Sequence, residues 1–365
     1  MKLFKKMSIL LLVVIISTVF MAGCGNSSQK TENDVNGNTD VEVANKESSQ
    51  NLKGKKLVVY VTFHEEEGKR LLELFQEKTG VEYSYLRMPT GETAARVMAE
   101  KDSPKADIIL GGPADVHQVL ADNSLIEPYV SPVAADIPEE FKSPDGYWSG
   151  IYVGPVSIAV NEQRWKEEFE SKGIEKPKTM EDLLNPAFKG EIIMPNPGTS
   201  GTAYTIVAAM VQKMGEDAAF EYFEKFAQNV GQFTKSGFTP AQKVATGEYL
   251  LGLNFIHDQK LMQKSGFKID TIVPAGAGWE IGAASIIKNG PNTEAAKAFI
   301  DFMVGKEAGQ LHTDLTERIS TRADVELPKG SQKLEDMDIM RDYDFFKAAE
   351  DKKALQAKWS QVIGR

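Results

Sequence analysis

Cysteine is nearly absent from this sequence, since Cys24 is the only one among 365 residues. A lone cysteine excludes an intramolecular disulfide and any metal or redox site built from paired cysteines. The sequence also lacks the His-Glu-x-x-His pair that binds zinc in many hydrolases. These absences exclude the commonest zinc and redox centres, and we predict neither a metal site nor a cofactor.

Motifs of nucleotide-binding and hydrolytic enzymes are missing as well. Neither a Gly-x-x-x-x-Gly-Lys-Ser/Thr loop nor a Gly-x-Gly-x-x-Gly fingerprint stands at a strand–helix junction. The run 198–201 (GTSG) lacks the spacing of the Gly-x-Ser-x-Gly nucleophile elbow. A nucleophile needs a neighbouring base, and the sequence offers only His257 near Ser200 as such a pair. We therefore predict that the protein is not an enzyme.

Positive charge is in deficit, because 42 lysines and arginines face 52 acidic residues for a net charge of −10. Residues 1–23 carry three lysines and no acid, so removal of that segment lowers the net charge to −13. An acidic surface argues against nucleic acid or an anionic lipid as partner. A small anion stays compatible with it, because backbone N–H groups bind anions inside acidic proteins.

The N-terminus has the pattern of a secretory signal. Three lysines precede the apolar run 9–22, and the small residues Ala22-Gly23 stand directly before Cys24. The run is nearly long enough to span a membrane, but the polar stretch 25–28 that follows does not resemble a stop-transfer flank. The segment resembles a bacterial lipoprotein signal. That resemblance implies removal of residues 1–23, lipidation of Cys24 and anchoring on the extracytoplasmic face of the cell membrane.

The composition changes sharply after the signal. Residues 24–52 are rich in Asn, Ser, Thr, Asp and Glu, cannot bury a core, and are predicted to form a disordered tether. From Lys53 onward strands and helices alternate, and a hydrophobic fraction of 42% suffices for two domains with cores. We predict strands at 56–61, 81–86 and 106–110, and helices at 65–79, 92–101 and 115–122. This order predicts a mostly parallel sheet covered by helices on both faces.

The strand predicted at 150–160 is longer and more apolar than the others, with Gly154-Pro155 in its middle. It is therefore a candidate to cross between two lobes. After it we predict a strand at 191–194, helices at 203–214 and 216–229, a polar loop at 231–239, strands at 250–256, 269–273 and 282–287, and a helical remainder that ends with a helix at 343–362. The predicted fold is two Rossmann-like α/β lobes joined by crossing strands. Residues 53–155 and 281–365 form lobe 1, and residues 156–280 form lobe 2.

The stretch 194–205 (MPNPGTSGTAYT) is the most informative part of the sequence. Prolines and glycines predict a tight turn, and Thr199, Ser200 or Thr202 can cap the apolar helix that follows. The unpaired N–H groups of a first helical turn point outward, where the helix dipole is positive. The arrangement suits phosphate, phosphonate or carboxylate. A capped helix start without any ligand is the alternative interpretation.

Other unusual residues also fall at predicted strand ends, where α/β sheets bind ligands. They are Thr62-Phe63-His64, Gly111-Gly112-Pro113, His257-Asp258, and Trp279-Glu280 in the linker 276–280. A cleft between the lobes brings such groups together. Plainer roles stay open: His64 as a helix cap, His257 with Asp258 as a surface pair, and Trp279 as a core residue.

Four motifs carry a family resemblance: 59–64 (VYVTFH), 106–108 (ADI) with 111–115 (GGPAD), 196–204 (NPGTSGTAY), and Gly247-Glu248 followed by 250–258. With them the chain resembles the extracellular solute-binding lipoproteins of ABC importers, which have the type II periplasmic-binding-protein fold. It is similar to the branch that contains ferric-ion-binding proteins and binders of hexose phosphates, phosphoglycerate or 2-aminoethylphosphonate. The resemblance implies a monomer that captures a small solute between its lobes and delivers it to a membrane permease.

The resemblance also bears on the ligand. Ferric members use an adjacent tyrosine pair where this chain has Phe255-Ile256-His257-Asp258, and no two tyrosines are adjacent here. Fe(III) is a hard cation that favours phenolate, carboxylate and imidazole ligands, and only His64 matches a ferric ligand. We therefore expect a phosphorylated or phosphonate solute, best a sugar phosphate, with ferric ion as the alternative.

The organophosphate-binding relatives imply a division of roles. Thr199, Ser200, Gly201 and Thr202 then take the phosphoryl oxygens, and His257, Asp258 and Glu280 take hydroxyls of a sugar-like part. The shell is completed from the facing walls by Thr62, His64, Gly112 and Ser236. Lys235 is the one basic residue expected near this set, either offsetting the ligand charge or as a solvated loop lysine.

Overall fold

The computed structural model describes residues 52–364. The predicted signal, Cys24 and nearly all of the predicted tether lie outside these residues. Leu52, which we predicted as the last tether residue, is only 5% exposed and packs in a hydrophobic core cluster with Leu57 and Phe75. The folded part therefore begins earlier than predicted.

Eleven strands are described in this part of the chain. They are β1 Lys56–Val61, β2 Glu82–Arg87, β3 Ile108–Pro113, β4 Ile126–Glu127, β5 Ser149–Asn161, β6 Ile192–Pro195, β7 Val230–Thr234, β8 Leu251–Phe255, β9 Ile269–Ile272, β10 Trp279–Ile287 and β11 Ile319–Ser320. Their hydrogen-bonded order is β2-β1-β3-β10-β5-β8-β6-β7, with β4 beside β10, and β9 and β11 beside β5. We predicted a strand at 282–287, but the observed strand β10 begins three residues earlier, at Trp279. Trp279 and Glu280 therefore belong to a strand and not to a linker.

The helices of seven residues or more alternate with these strands. They are α1 Glu65–Thr79, α2 Thr90–Ala99, α3 Ala114–Asp122, α4 Gly201–Met214, α5 Glu216–Phe226, α6 Thr239–Ala245, α7 Ile256–Lys264, α8 Thr293–Met303, α9 Lys306–Thr316 and α10 Phe345–Val362. None of the helices within residues 52–364 combines the length and the apolar character that a membrane span requires.

The long strand β5 joins two sheets. Its residues 149–155 pair antiparallel with β10, whereas its residues 156–160 pair antiparallel with β8. We call the sheet that contains β1–β4, β10 and β11 the first sheet, and the one that contains β6–β9 the second sheet. The strands β1, β2 and β3 are parallel, and so are β6, β7 and β8. The α/β fold with a crossing strand is as predicted, but the sheet is mixed, because β5 and β10 run against their neighbours.

Two secondary-structure predictions are wrong. The predicted polar loop 231–239 contains most of strand β7 and the start of α6. In the described sheet β7 lies at the end of the strand order and pairs with β6, so its Gly231 and Gln232 are exposed while Val230 and Thr234 are buried. An edge strand needs few apolar residues, which is why the sequence pattern missed it. Residues 317–344, predicted helical, contain β11 and irregular turns.

The last helix, α10, packs against both sides of the molecule. Its Lys352, which is largely shielded from solvent, forms an ion pair with the buried Asp115 of α3, at 2.6 Å. Its Gln356 donates to the carbonyl of Pro197, in the turn before α4, and its Trp359 contacts the ring of Phe223 in α5. The assignment of residues 281–365 to lobe 1 stays a prediction, and this helix is one part of that range that also packs on elements of lobe 2.

Candidate functional site

A cavity lies where the carboxyl ends of strands from both sheets converge. Eight of the predicted site residues line it: Thr62, His64, Gly112, Ser200, Thr202, His257, Asp258 and Glu280. The other three lie beside it. Thr199 donates its hydroxyl to the Lys235 carbonyl at 3.1 Å, Gly201 packs against Pro113, and Ser236 accepts a hydrogen bond from Arg87.

The start of α4 supplies hydroxyl groups to the cavity. Ser200 is the N-cap residue by position, but its side chain makes no capping hydrogen bond, so the predicted use of this hydroxyl as a cap is wrong. The loop after β7 approaches closely: a Cβ on Gly237 would lie 2.2 Å from Thr202 Oγ1 and 3.2 Å from Ser200 Oγ. Because Ser200 and Thr202 stand at the start of α4, their hydroxyls lie beside the positive end of the helix dipole.

Arg87, the last residue of β2, joins the two sides of the cavity. Its Nε donates to the Phe63 carbonyl at 3.1 Å, and its Nη2 donates to Ser236 Oγ at 3.1 Å. Burial lowers its pKa, against the pull of Asp258, Glu65 and Glu92. The prediction that Lys235 is the one basic residue here is wrong, since the cavity is lined by Arg87 and Arg318 and not by Lys235. We call Arg87, Ser200, Thr202, Ser236 and Gly237 the anion cluster.

His257, Asp258 and Glu280 form a second group, which we call the carboxyl cluster. His257 and Asp258 lie in the first turn of α7, and Glu280 lies in β10. His257 Nε2 is 3.5 Å from Glu280 Oε1 and 3.7 Å from Asp258 Oδ1. These distances are too long for strong direct hydrogen bonds. The three polar groups therefore face one another but do not use up their hydrogen-bonding capacity on each other.

Burial sets the charges of the carboxyl cluster. It raises the pKa of Glu280 well above its ordinary value, raises the pKa of Asp258 to about 6, and lowers the pKa of His257 well below its ordinary value. At neutral pH His257 is therefore uncharged and Asp258 is mostly ionised, while burial favours the protonated form of Glu280. The cluster offers both a donor and acceptors to hydroxyl groups.

Arg318 is a cavity residue that the sequence analysis missed. It precedes β11, is 1% exposed, and donates from Nε to both carboxylate oxygens of Glu67, at 2.8 and 3.1 Å. Its guanidinium carbon lies 4.1 Å from the ring centroid of Tyr152 and 5.0 Å from that of Phe63. Its Nη1 is buried without a hydrogen-bond partner.

The two sides of the cavity touch at several points. The N–H of Gly91, in α2, donates to the Thr199 carbonyl at 3.0 Å, and the rings of His64 and Phe238 meet edge to face at 5.2 Å. Together with the bond from Arg87 to Ser236, these contacts hold the cavity closed. Across residues 52–364, no group of three or more His, Cys, Asp or Glu side chains is arranged to hold a metal ion.

Comparisons with known proteins agree with this architecture. Residues 103–340 match the family of bacterial extracellular solute-binding proteins. An uncharacterized protein of Haemophilus influenzae is 36% identical over 328 residues, which cover 86% of this chain and 92% of that protein. The structure of the periplasmic binding protein AfuA from Actinobacillus pleuropneumoniae, with exogenous fructose-6-phosphate bound, is 35% identical with a TM-score of 0.81, covering 86% of this chain and 99% of AfuA.

Iron-bound HitA from Pseudomonas aeruginosa is also similar, with a TM-score of 0.73 at 20% identity over 85% of this chain and all of that one. At that identity the likeness concerns the fold alone. The family match spans more than half of the chain, and the fold is similar to that of AfuA. This chain therefore belongs to the bacterial extracellular solute-binding proteins, the non-enzymatic components that bind solutes for ABC importers.

Proposed function

We propose that this protein captures a small phosphorylated or phosphonate solute, best a sugar phosphate, in the cavity between its two sheets. One observation carries the proposal: the Ser200 hydroxyl at the start of α4 is not used for capping and lines the same cavity as Arg87. A helix N-terminus, free hydroxyls and a guanidinium together suit a phosphoryl group, because all of them offer donors to its oxygens.

The carboxyl cluster supports a ligand with hydroxyl groups. A phosphate dianion is repelled by Asp258, whereas a hydroxyl can donate to Asp258 and can accept from Glu280 in the protonated form that burial favours. A phosphoryl group bound at the anion cluster and hydroxyls bound at the carboxyl cluster therefore satisfy both groups. The likeness to AfuA, whose structure has fructose-6-phosphate bound, supports a sugar phosphate as the ligand.

The contacts across the cavity support capture of the solute by closure of the two sides. The bonds from Arg87 to Ser236 and from Gly91 to Thr199 join the two sides beside it. A ligand can enter only when these contacts open, and binding then favours the closed form by a hinge motion around β5 and β10. We propose that the closed protein, acting as a monomer, presents the solute to a membrane permease.

Anchoring at Cys24 is part of the proposal. The lipoprotein-like signal supports a lipid-anchored protein on the extracytoplasmic face of the membrane. Cys24→Ser should move the protein from the membrane fraction to the soluble fraction and abolish labelling with radioactive palmitate. An unchanged distribution of that variant would remove lipid anchoring from the proposal.

The ligand assignment is tested by thermal unfolding and calorimetric titration of the purified protein with hexose 6-phosphates, phosphoglycerate, 2-aminoethylphosphonate, inorganic phosphate, free sugars and ferric citrate. A ligand at about 1,000 times its dissociation constant adds about 4 kcal/mol of stability and raises the midpoint by several degrees. A response to sugar phosphates without one to free sugars supports the proposal. A response to ferric citrate alone replaces it with the ferric alternative.

A further inference from the structure

We propose that Arg318 is a specificity-determining residue of this site. Its Nη1 donates to an uncharged acceptor oxygen, a hydroxyl or a carbonyl, on the part of the ligand that does not carry the phosphoryl group. Glu67 is its positioning residue. This inference rests on the proposed function, since it concerns the other end of the same ligand.

The first support is the unmet hydrogen-bonding capacity of the guanidinium. Arg318 lines the cavity, yet it is 1% exposed and its Nη1 has no partner. Buried donors of a charged group are almost always paired in folded proteins, because water cannot reach them. An acceptor oxygen of a bound ligand supplies the missing partner.

The second support is the rigidity with which the guanidinium is held. Nε bonds both oxygens of Glu67, and the faces of the Tyr152 and Phe63 rings lie within 4.1 and 5.0 Å of the guanidinium carbon. Glu67 is held in turn by His312 of α9. A donor fixed in this way selects a ligand atom by position, because neither partner has to be reoriented on binding.

Charge decides the nature of the acceptor. Glu67 is ionised and directly paired with Arg318, so it offsets the positive charge of the guanidinium. Asp258 and Glu280 also act on Arg318 electrostatically. A phosphoryl group placed here would be attracted by one guanidinium but repelled by the carboxylates of Glu67 and Asp258. An uncharged oxygen accepts the hydrogen bond without that repulsion. Arg318 therefore selects an uncharged polar oxygen of the ligand.

The test compares two ligands of matched length by calorimetric titration: a hexose 6-phosphate, and hexyl phosphate, which keeps the phosphoryl group and lacks the other oxygens. We expect the unmodified protein to bind the hexose 6-phosphate about tenfold or more tighter, as one hydrogen bond to a charged group warrants. In Arg318→Met that preference should fall by about the same factor while affinity for hexyl phosphate changes by less than about threefold. An unchanged preference in Arg318→Met overturns the inference.

Glu67→Gln tests the positioning role. The ratio of the two affinities should fall towards that of Arg318→Met, whereas a purely structural role would weaken both ligands equally. Asp301→Asn is the control, because Asp301 is a half-buried carboxylate that is bonded to Tyr129 and Ser131 and does not line the cavity. It should leave the ratio unchanged.

The inference stays testable if these variants fail to fold. The unmodified protein alone must then prefer the hexose 6-phosphate to deoxy-hexose 6-phosphates that lack one oxygen each, and at least one of them must bind about tenfold more weakly. Equal affinity for all of them overturns the role of Arg318 and the assignment of hydroxyls to the carboxyl cluster, but leaves the capture of a phosphorylated solute intact. If no phosphorylated compound binds, the proposed function fails and this inference fails with it.

Discussion

Glu280 and His257 meet over Gly154. Glu280 stands opposite Gly154 in the antiparallel pairing of β10 with β5, and its Oε1 lies 3.5 Å from His257 Nε2. Because burial raises the pKa of Glu280 and lowers that of His257, the two form no ion pair at neutral pH. Burial favours the protonated form of Glu280, and in that form the carboxyl group can donate a hydrogen bond to a ligand hydroxyl.

Gly154→Ala should disturb this arrangement. The added Cβ would lie 2.6 Å from His257 Nδ1 and 2.8 Å from Cε1, so the imidazole has to move. We expect a loss of stability of about 1–3 kcal/mol, as for other overpacked interiors, and an affinity for the ligand lowered by about tenfold or more. Urea unfolding and calorimetric titration measure the two effects. Wild-type affinity in this variant would mean that the position of His257 does not matter for binding.

Asp258→Asn should stabilise the ligand-free protein and weaken binding. Burial raises the pKa of Asp258 to about 6, above its ordinary value, so between these two values the folded state binds more protons than the unfolded state. Stability contributed by this group therefore falls as the pH rises through that window. An acid shifted by about two pH units destabilises the folded protein by about 3 kcal/mol at neutral pH.

The measurement is the free energy of unfolding of both proteins without ligand, from pH 4 to pH 8. The variant should be the more stable at neutral pH, and the difference should vanish towards pH 4, where Asp258 is protonated. A constant difference across this range would show that Asp258 does not titrate as its burial implies.

Ser200→Ala combined with Thr202→Ala should remove binding without destabilising α4. The loss of a capping side chain usually costs about 1 kcal/mol, but Ser200 makes no capping bond, so the unfolding midpoint should hardly move. Two hydrogen bonds to a charged ligand are worth about 3 kcal/mol or more, which is about a hundredfold in affinity. Thr199→Ala is the matched control, since its hydroxyl bonds the Lys235 carbonyl beside the cavity. Equal losses in the control and the double variant would contradict the role of the two hydroxyls.

The sequence could predict the elements that local patterns determine. The helix at 65–79 and the strand at 56–61 have the predicted bounds. The rule that ligands bind at strand ends also selected His64, His257 and Asp258, which line the cavity. Arg87 obeys the same rule but was missed, because the predicted strand stopped at Leu86, one residue early.

Arg318 had no local signal at all. Its place is fixed by the bond to Glu67, 251 residues away, and by the Tyr152 ring. Neither a hydrophobic period nor a turn motif reports such a pairing, because it depends on how distant elements pack. The edge strand β7 was missed for a related reason. Its sequence is polar, and it is held as a strand by its backbone pairing with β6.

The pair of Lys352 and Asp115 allows a prediction about α10. Burial lowers the pKa of Lys352 and raises that of Asp115, although each group favours the charged form of the other. Desolvation therefore outweighs the attraction within the pair. Lys352→Met should cost about 3–5 kcal/mol, because it leaves Asp115 buried alone. The double variant Lys352→Met with Asp115→Asn removes both charges, so it should recover most of that loss and can equal the unmodified protein.

Denaturant unfolding of the three proteins at neutral pH measures this difference. Since neither residue lines the cavity, ligand affinity of the double variant should stay within about threefold of the unmodified value. A single variant as stable as the unmodified protein would mean that Asp115 finds water or another partner when Lys352 is removed. A double variant no more stable than the single one would mean that α10 is held on α3 by the charges themselves, and that the ion pair, not apolar packing around Trp359, fixes this helix across the two sides.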